Sequence, residues 1–124
     1  MAIDKEWLVR KAQQAAPFEA CGFIMEDGDI IEIANVSLAP MRAFKMDRDE
    51  MFEKLCDRVD FIQGIWHTHP GGSCHPSETD LDGITLGAIA RHWDYYIVTA
   101  TDVHMYSAEH YAPKEHSYWS RFGR

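Results

Sequence analysis

Two imidazoles one residue apart, His67 and His69, are followed eleven positions later by the carboxylate of Asp80. Together they could supply three protein ligands to one zinc ion. Three ligands plus a water is the coordination of a catalytic zinc, whereas a structural zinc is closed by four protein ligands. Ser77, three residues before Asp80, places a hydroxyl beside that carboxylate. The chemistry implied is hydrolysis by metal-activated water, with no nucleophilic side chain required.

The elements around these residues predict how they meet. Phe61-Ile62-Gln63-Gly64-Ile65-Trp66 is a short apolar run with β-branched and aromatic residues and no proline, so it reads as a buried strand leading into the histidines. Side chains alternate along an extended chain, which puts His67 and His69 on one face. Pro70 to Pro76 is a loop by composition, with Gly71, Gly72 and Ser73 leaving room beside the metal. Ser77 with Asp80 forms an S-x-x-D helix start, predicting a helix from about residue 77 to residue 91 with Asp80 in its first turn. That helix N-terminus favours the carboxylate charge, and Ser77 can cap it while still offering its hydroxyl to a substrate oxygen.

The run His67-Thr68-His69-Pro70, six residues, Ser77, two residues and Asp80 resembles the JAMM motif of the MPN-domain zinc metallopeptidases. That family also carries an upstream glutamate in a Glu-x-Cys-Gly context, and Pro17-Phe18-Glu19-Ala20-Cys21-Gly22-Phe23-Ile24 is similar to it. The resemblance implies one zinc per chain held by His67, His69 and Asp80, Glu19 as general base, and Ser77 as hydrogen-bond donor to the tetrahedral oxyanion. It implies a curved mixed β-sheet flanked by helices, an architecture like that of cytidine deaminases. It implies a peptide or isopeptide bond as the target, at the tail of a ubiquitin-like or other protein. In length the chain resembles small prokaryotic or phage members. A non-catalytic MPN scaffold or a phage tail-assembly protein that binds partners is the alternative, although such scaffolds generally lose ligands that are all present here. A zinc deaminase is disfavoured because its H-x-E and P-C-x-x-C signature is missing.

Read without the resemblance, Glu19 is an exposed charge at a strand start, Cys21 is a small buried hydrophobe, and Gly22 either admits close backbone packing or interrupts the strand. Cys74 and His75 lie in the loop between the ligand clusters, where they could touch substrate or supply a fourth metal ligand, although loop polarity alone also explains them.

Composition bounds the rest. At 124 residues the chain suits a single domain over 1–124, and 46% hydrophobic content is in the globular range. Twelve basic against twenty acidic residues give a net charge of −8, which argues against a nucleic-acid partner. Cys21, Cys56 and Cys74 are odd in number and contain no C-x-x-C pair, so a reducing cytoplasm is the expected setting. Charges at Asp4, Lys5, Glu6, Arg10 and Lys11 interrupt any signal-peptide apolar region, and no segment is long enough to cross a membrane.

The pattern is α/β. Ile3, Trp7, Leu8, Ala12 and Ala15 predict a one-sided helix ended by Pro17. Residues 19–25 and 30–36 predict a hairpin around Glu26-Asp27-Gly28-Asp29. Asp47 to Cys56 predicts a helix with Met51, Phe52 and Leu55 on its apolar side. Tyr95 to Ala100 is a strand with Val103 to Met105 as its partner, and Tyr111, Tyr118, Trp119 and Phe122 are expected to pack on the sheet. A substrate tail is expected beside an exposed sheet edge near the histidine strand.

Overall fold

The computed structural model describes residues 3–76 and 93–107. The predicted Ser/Asp helix and the C-terminal aromatic residues lie outside them.

Helix α1 spans Lys5–Ala15 and begins at Asp4, whose carboxylate accepts the Trp7 N–H at 3.0 Å. Strands β1, Cys21–Met25, and β2, Ile30–Ile33, form the predicted hairpin. Its turn is set by Gly28, whose φ of 93° suits glycine, and by Asp27, whose side chain accepts the Asp29 N–H. Helix α2 covers Arg48–Leu55 with Asp47 as its cap. Strand β3 is Ile62–Thr68, β4 is Asp94–Val98 and β5 is Val103–Ser107. The five strands form one mixed sheet in the order β2-β1-β3-β4-β5, in which β3 and β4 run parallel and every other pair is antiparallel.

Alternation divides the side chains between two faces. Trp66 and Tyr96 point to one face with Ile24 and Val98, where Leu8 and Ala12 of α1 cover them, and Trp7 meets Trp66 edge-on at 5.9 Å. Phe23, Ile31 and Ile33 point to the other face, where Leu55 and Met51 of α2 join them. His67 is one residue from Trp66, so it falls on the α2 face.

Four expectations are corrected. Phe52 does not face the core: it is 64% exposed, with the Arg48 guanidinium 5.8 Å above its ring. The first strand begins at Cys21, so Glu19 precedes it. Strand β2 stops at Ile33, short of residue 36, because the Ala34 N–H turns to the Glu50 carboxylate at 3.1 Å. Nor does the histidine strand lie beside a sheet edge. Parallel β4 covers one side of β3 and antiparallel β1 the other, leaving β2 and β5 as the outer strands of the described sheet. Strand order depends on contacts distant in sequence, which local pattern does not carry. Lys54 further blunts the β2 edge by donating to the Glu32 carbonyl at 2.7 Å.

Gly22 resolves in favour of close packing. A Cβ there would overlap the Ile31 carbonyl and lie 2.8 Å from Trp66 Nε1. Gly71 has nothing within 4 Å of the corresponding point. Gly22→Ala is therefore expected to lower stability by about 3 kcal/mol or to block folding, while Gly71→Ala changes it little; urea unfolding of the two variants beside the parent chain checks the contrast.

Candidate functional site

Antiparallel pairing places Cys21 opposite His67. Thr68 and Ala20 extend the ladder by one step, with the Thr68 N–H donating to the Ala20 carbonyl at 2.9 Å and the Ala20 N–H donating to Thr68 Oγ1 at 2.8 Å. Cys21 and His67 therefore share the α2 face at one end of the sheet, where His69 meets His67, and Glu19, just before β1, lies close enough to Cys21 for its carboxylate to act on that thiol. Glu19, His67 and His69 are all buried.

The two histidines converge. Their Nε2 atoms are 2.9 Å apart and their ring centroids 4.7 Å apart. His69 Nδ1 lies 2.9 Å from the Ser73 carbonyl, and a carbonyl only accepts, so Nδ1 carries a proton and, in the neutral ring, Nε2 keeps its lone pair. A ligating histidine has this arrangement, its second nitrogen donating to a backbone oxygen. Zinc–nitrogen bonds of about 2.0–2.1 Å at a tetrahedral angle hold two imidazole nitrogens about 3.3 Å apart. The observed separation is a few tenths of an ångström shorter, so the described part of the donor set fits the ion. Among the described residues no group of three or more His, Cys, Asp or Glu side chains forms a complete metal site. Asp80, the expected third ligand, and Ser77 lie outside the described residues.

The segment joining β2 to α2 straps this end of the sheet, and the sequence alone had not marked it. Asn35 Nδ2 donates to the Glu19 carbonyl at 2.8 Å and to the Ala43 carbonyl at 3.1 Å, while its Oδ1 accepts the N–H groups of Ser37 and Lys45, each at 3.0 Å. The Glu19 N–H donates to the Pro40 carbonyl at 2.7 Å. Glu19 is thus held by its backbone on both sides. Phe44 stacks on the His67 ring with centroids 4.6 Å apart and planes at 27°. An asparagine preceding a proline-containing loop was the available signal, but a turn explains it equally well.

On the other side lies the loop from Pro70 to Pro76. Gly72 has φ of 85° and donates to the His69 carbonyl at 3.0 Å, closing a turn. Gly71, Gly72 and Ser73 are exposed, and a Cβ on either glycine would meet nothing within 4 Å. Cys74 is half-buried and His75 exposed.

Cys21 is a packed thiol. It is fully buried and donates to the Ile33 carbonyl at 3.5 Å. Burial first, then the carboxylates of Glu32, Glu19 and Glu50, push its pKa up to about 12. Thiolate is the reactive form, so burial keeps Cys21 in its unreactive thiol state.

Residues 5–117 match the family of prokaryotic homologs of the JAB domain. Among solved structures, a protein of Desulfitobacterium hafniense determined in solution is similar at a TM-score of 0.58 and 23% identity, over 82% of this chain and 84% of that one. A crystallised JAB1/MPN domain protein of Archaeoglobus fulgidus is similar at 0.52 and 23% identity, over 84% of this chain and 83% of that one. These two likenesses are of fold. No curated protein matches the chain.

Iodoacetamide labelling of the folded chain at pH 8, followed by peptide mass spectrometry, should modify exposed Cys56 well before Cys21. Early loss of the Cys21 thiol would show that this end of β1 opens readily.

Proposed function

The chain belongs to the family of prokaryotic JAB-domain proteins, and from that membership we propose that it is a zinc-dependent hydrolase of peptide or isopeptide bonds. The family includes metal-dependent isopeptidases. The observation that carries the reading is the meeting of two buried imidazole nitrogens 2.9 Å apart, with buried Glu19 just before the strand that pairs with theirs.

In this reading His67, His69 and Asp80 hold one zinc. When bound, the ion supplies Lewis acidity, which makes water easier to deprotonate near neutral pH and polarises the scissile carbonyl. Glu19 takes the proton of the attacking water and returns it to the leaving amine, a role suited to a carboxylate whose backbone is fixed at both its N–H and its carbonyl. Ser77 donates a hydrogen bond to the developing oxyanion, worth about 2.7–4 kcal/mol of barrier in comparable sites.

The substrate of this proposal is a protein or peptide whose extended tail enters over the open Gly71-Gly72 loop, a ubiquitin-like protein being one such substrate. Nucleic acid is disfavoured by the net charge of −8. A reducing, cytoplasmic setting belongs to the same proposal and is supported by three free thiols. Among the described residues no helix is long and apolar enough to cross a membrane.

Glu19→Gln should retain one zinc per chain and lose cleavage, whereas His69→Ala should lose the zinc. Ser77→Ala should lower kcat by about 100-fold or more with little change in KM, as for a group used mainly in the transition state. Metal analysis, combined with N-terminal proteomics of a lysate treated with the parent or the Glu19→Gln chain, reads these outcomes. New protein termini produced equally by both chains would remove Glu19 from the mechanism.

A further inference from the structure

The loop that carries the carbonyl partner of His69 contains two adjacent glycines. Gly71 and Gly72 are exposed, and among the described residues no atom lies within 4 Å of where a Cβ on either would sit. Glycine loses more backbone freedom on ordering than any other residue, so a carbonyl just beyond such a pair is held more firmly when the chain has an anchor besides the local bonds of Gly72 to the His69 carbonyl and of His75 to Ser73 Oγ. The Ser73 carbonyl is that carbonyl, and its position decides which nitrogen of His69 carries the proton.

An anchor comes from across the sheet. Tyr106 on β5 pairs with Tyr95 on β4, in the row that continues through Ile65 of β3, on the same face as His67. Its hydroxyl donates to the Cys74 carbonyl at 2.7 Å, a contact spanning 32 residues of sequence. The Cys74 carbonyl is one peptide beyond the Ser73 carbonyl. Two bonds in series therefore run from a regular strand to the imidazole: Tyr106 to Cys74, then Ser73 to His69.

We infer that Tyr106 is a positioning residue for the metal site, its hydroxyl fixing the Gly-Gly loop so that the Ser73 carbonyl holds His69 with its proton on Nδ1 and its lone pair on Nε2. It touches neither substrate nor metal and acts through His69. The consequence for zinc affinity rests on the hydrolase reading above; the effect on the tautomer does not. Removing the hydroxyl while leaving the ring frees the loop, lets the proton distribute over both nitrogens, and weakens the lone pair presented to a metal. Outer partners of this kind typically contribute about 10–100-fold in metal affinity.

The test uses the full chain, 15N-labelled and stripped of metal with EDTA. Two-bond 15N–1H spectra at pH 8 report the tautomer of each histidine, with His69 assigned from its absence in His69→Gln. Zinc affinity is then measured by competition with a chromogenic chelator, and thermal melting is recorded for every variant. Tyr106→Phe is compared with Tyr96→Phe, which removes a buried hydroxyl that accepts from Gln63 on the α1 face.

The parent chain is expected to show His69 as Nδ1–H. Tyr106→Phe should show a mixture of tautomers and bind zinc about tenfold more weakly, while Tyr96→Phe retains the parent tautomer and affinity. An unchanged His69 tautomer in Tyr106→Phe overturns the inference, as does an equal change in Tyr96→Phe, which would mark general loosening. A tautomer change specific to Tyr106→Phe in a chain that binds no zinc would uphold the positioning role and sink the hydrolase reading instead.

Discussion

The register between β1 and β3 is the constraint on which the rest of the site depends. With Cys21 opposite His67, the antiparallel ladder sets the start of β1 against the end of β3, and so brings the segment that carries Glu19, 48 residues upstream, to the histidine end of the sheet. A slip of one residue would send Cys21 and His67 to opposite faces of the sheet. Three features hold the register. Gly22 lets the Ile31 backbone and the Trp66 indole approach closer than any side chain would permit. Thr68, fully buried between the histidines, accepts the Ala20 N–H through its hydroxyl. The rows on the α1 face, Trp66 and Tyr96 under Leu8, bury large apolar side chains only in this alignment. The residue between the two histidines is thus a structural pin for the glutamate strand.

Burying Glu19, His67, Thr68, His69 and Thr99 near one end of a sheet works against folding, since each polar group loses water. The β2–α2 segment offsets part of this cost. Asn35 uses both amide hydrogens and two acceptances at its oxygen, so a single side chain joins the glutamate backbone to three points of the strap. Phe44 lies flat on His67 and removes one face of that ring from water. The apolar cluster around Phe23, Ile33 and Leu55 lies on the same face and anchors α2, whose cap at Asp47 terminates the strap. The placement of the glutamate backbone therefore depends on core packing a few residues away.

Much of this was legible in the chain because the signals are local. The apolar run 61–66, the alternation through His67 and His69, the hairpin at Gly28 and the leading helix all follow from periodicity and turn chemistry within a few residues. Asp47 read correctly as a helix start. Phe52 did not read correctly as a core residue, because a short helix packed by Leu55 and Met51 leaves its third apolar residue to solvent. The strap was illegible for another reason: Asn35 acts on Glu19, and Phe44 on His67, through contacts 16 and 23 residues distant in sequence. The same holds for Tyr106 and Cys74. Residue type does not announce a partner that only the strand order supplies. The position of β3 inside the sheet belongs to the same class, because whether β4 lies beside it is decided by the crossover.

That crossover explains why the site needs a mixed sheet. Antiparallel pairing alone would bring the start of β1 to the end of β3, joining Glu19 to the histidines, but a hairpin leaving β3 would place the next strand immediately alongside and fill the space with a tight turn. Parallel β4 begins at Asp94, opposite Gly64, so the chain after His69 has to cross back to the far end of the sheet before it can pair. The outgoing segment therefore starts at the carboxyl end of β3, where open α/β sheets characteristically place their ligands. Val98 of the parallel strand accepts the His69 N–H at 2.9 Å, so β4 also fixes the backbone of the second histidine. One neighbour of β3 brings the carboxylate to the site. The other fixes the histidine and releases the loop that borders it.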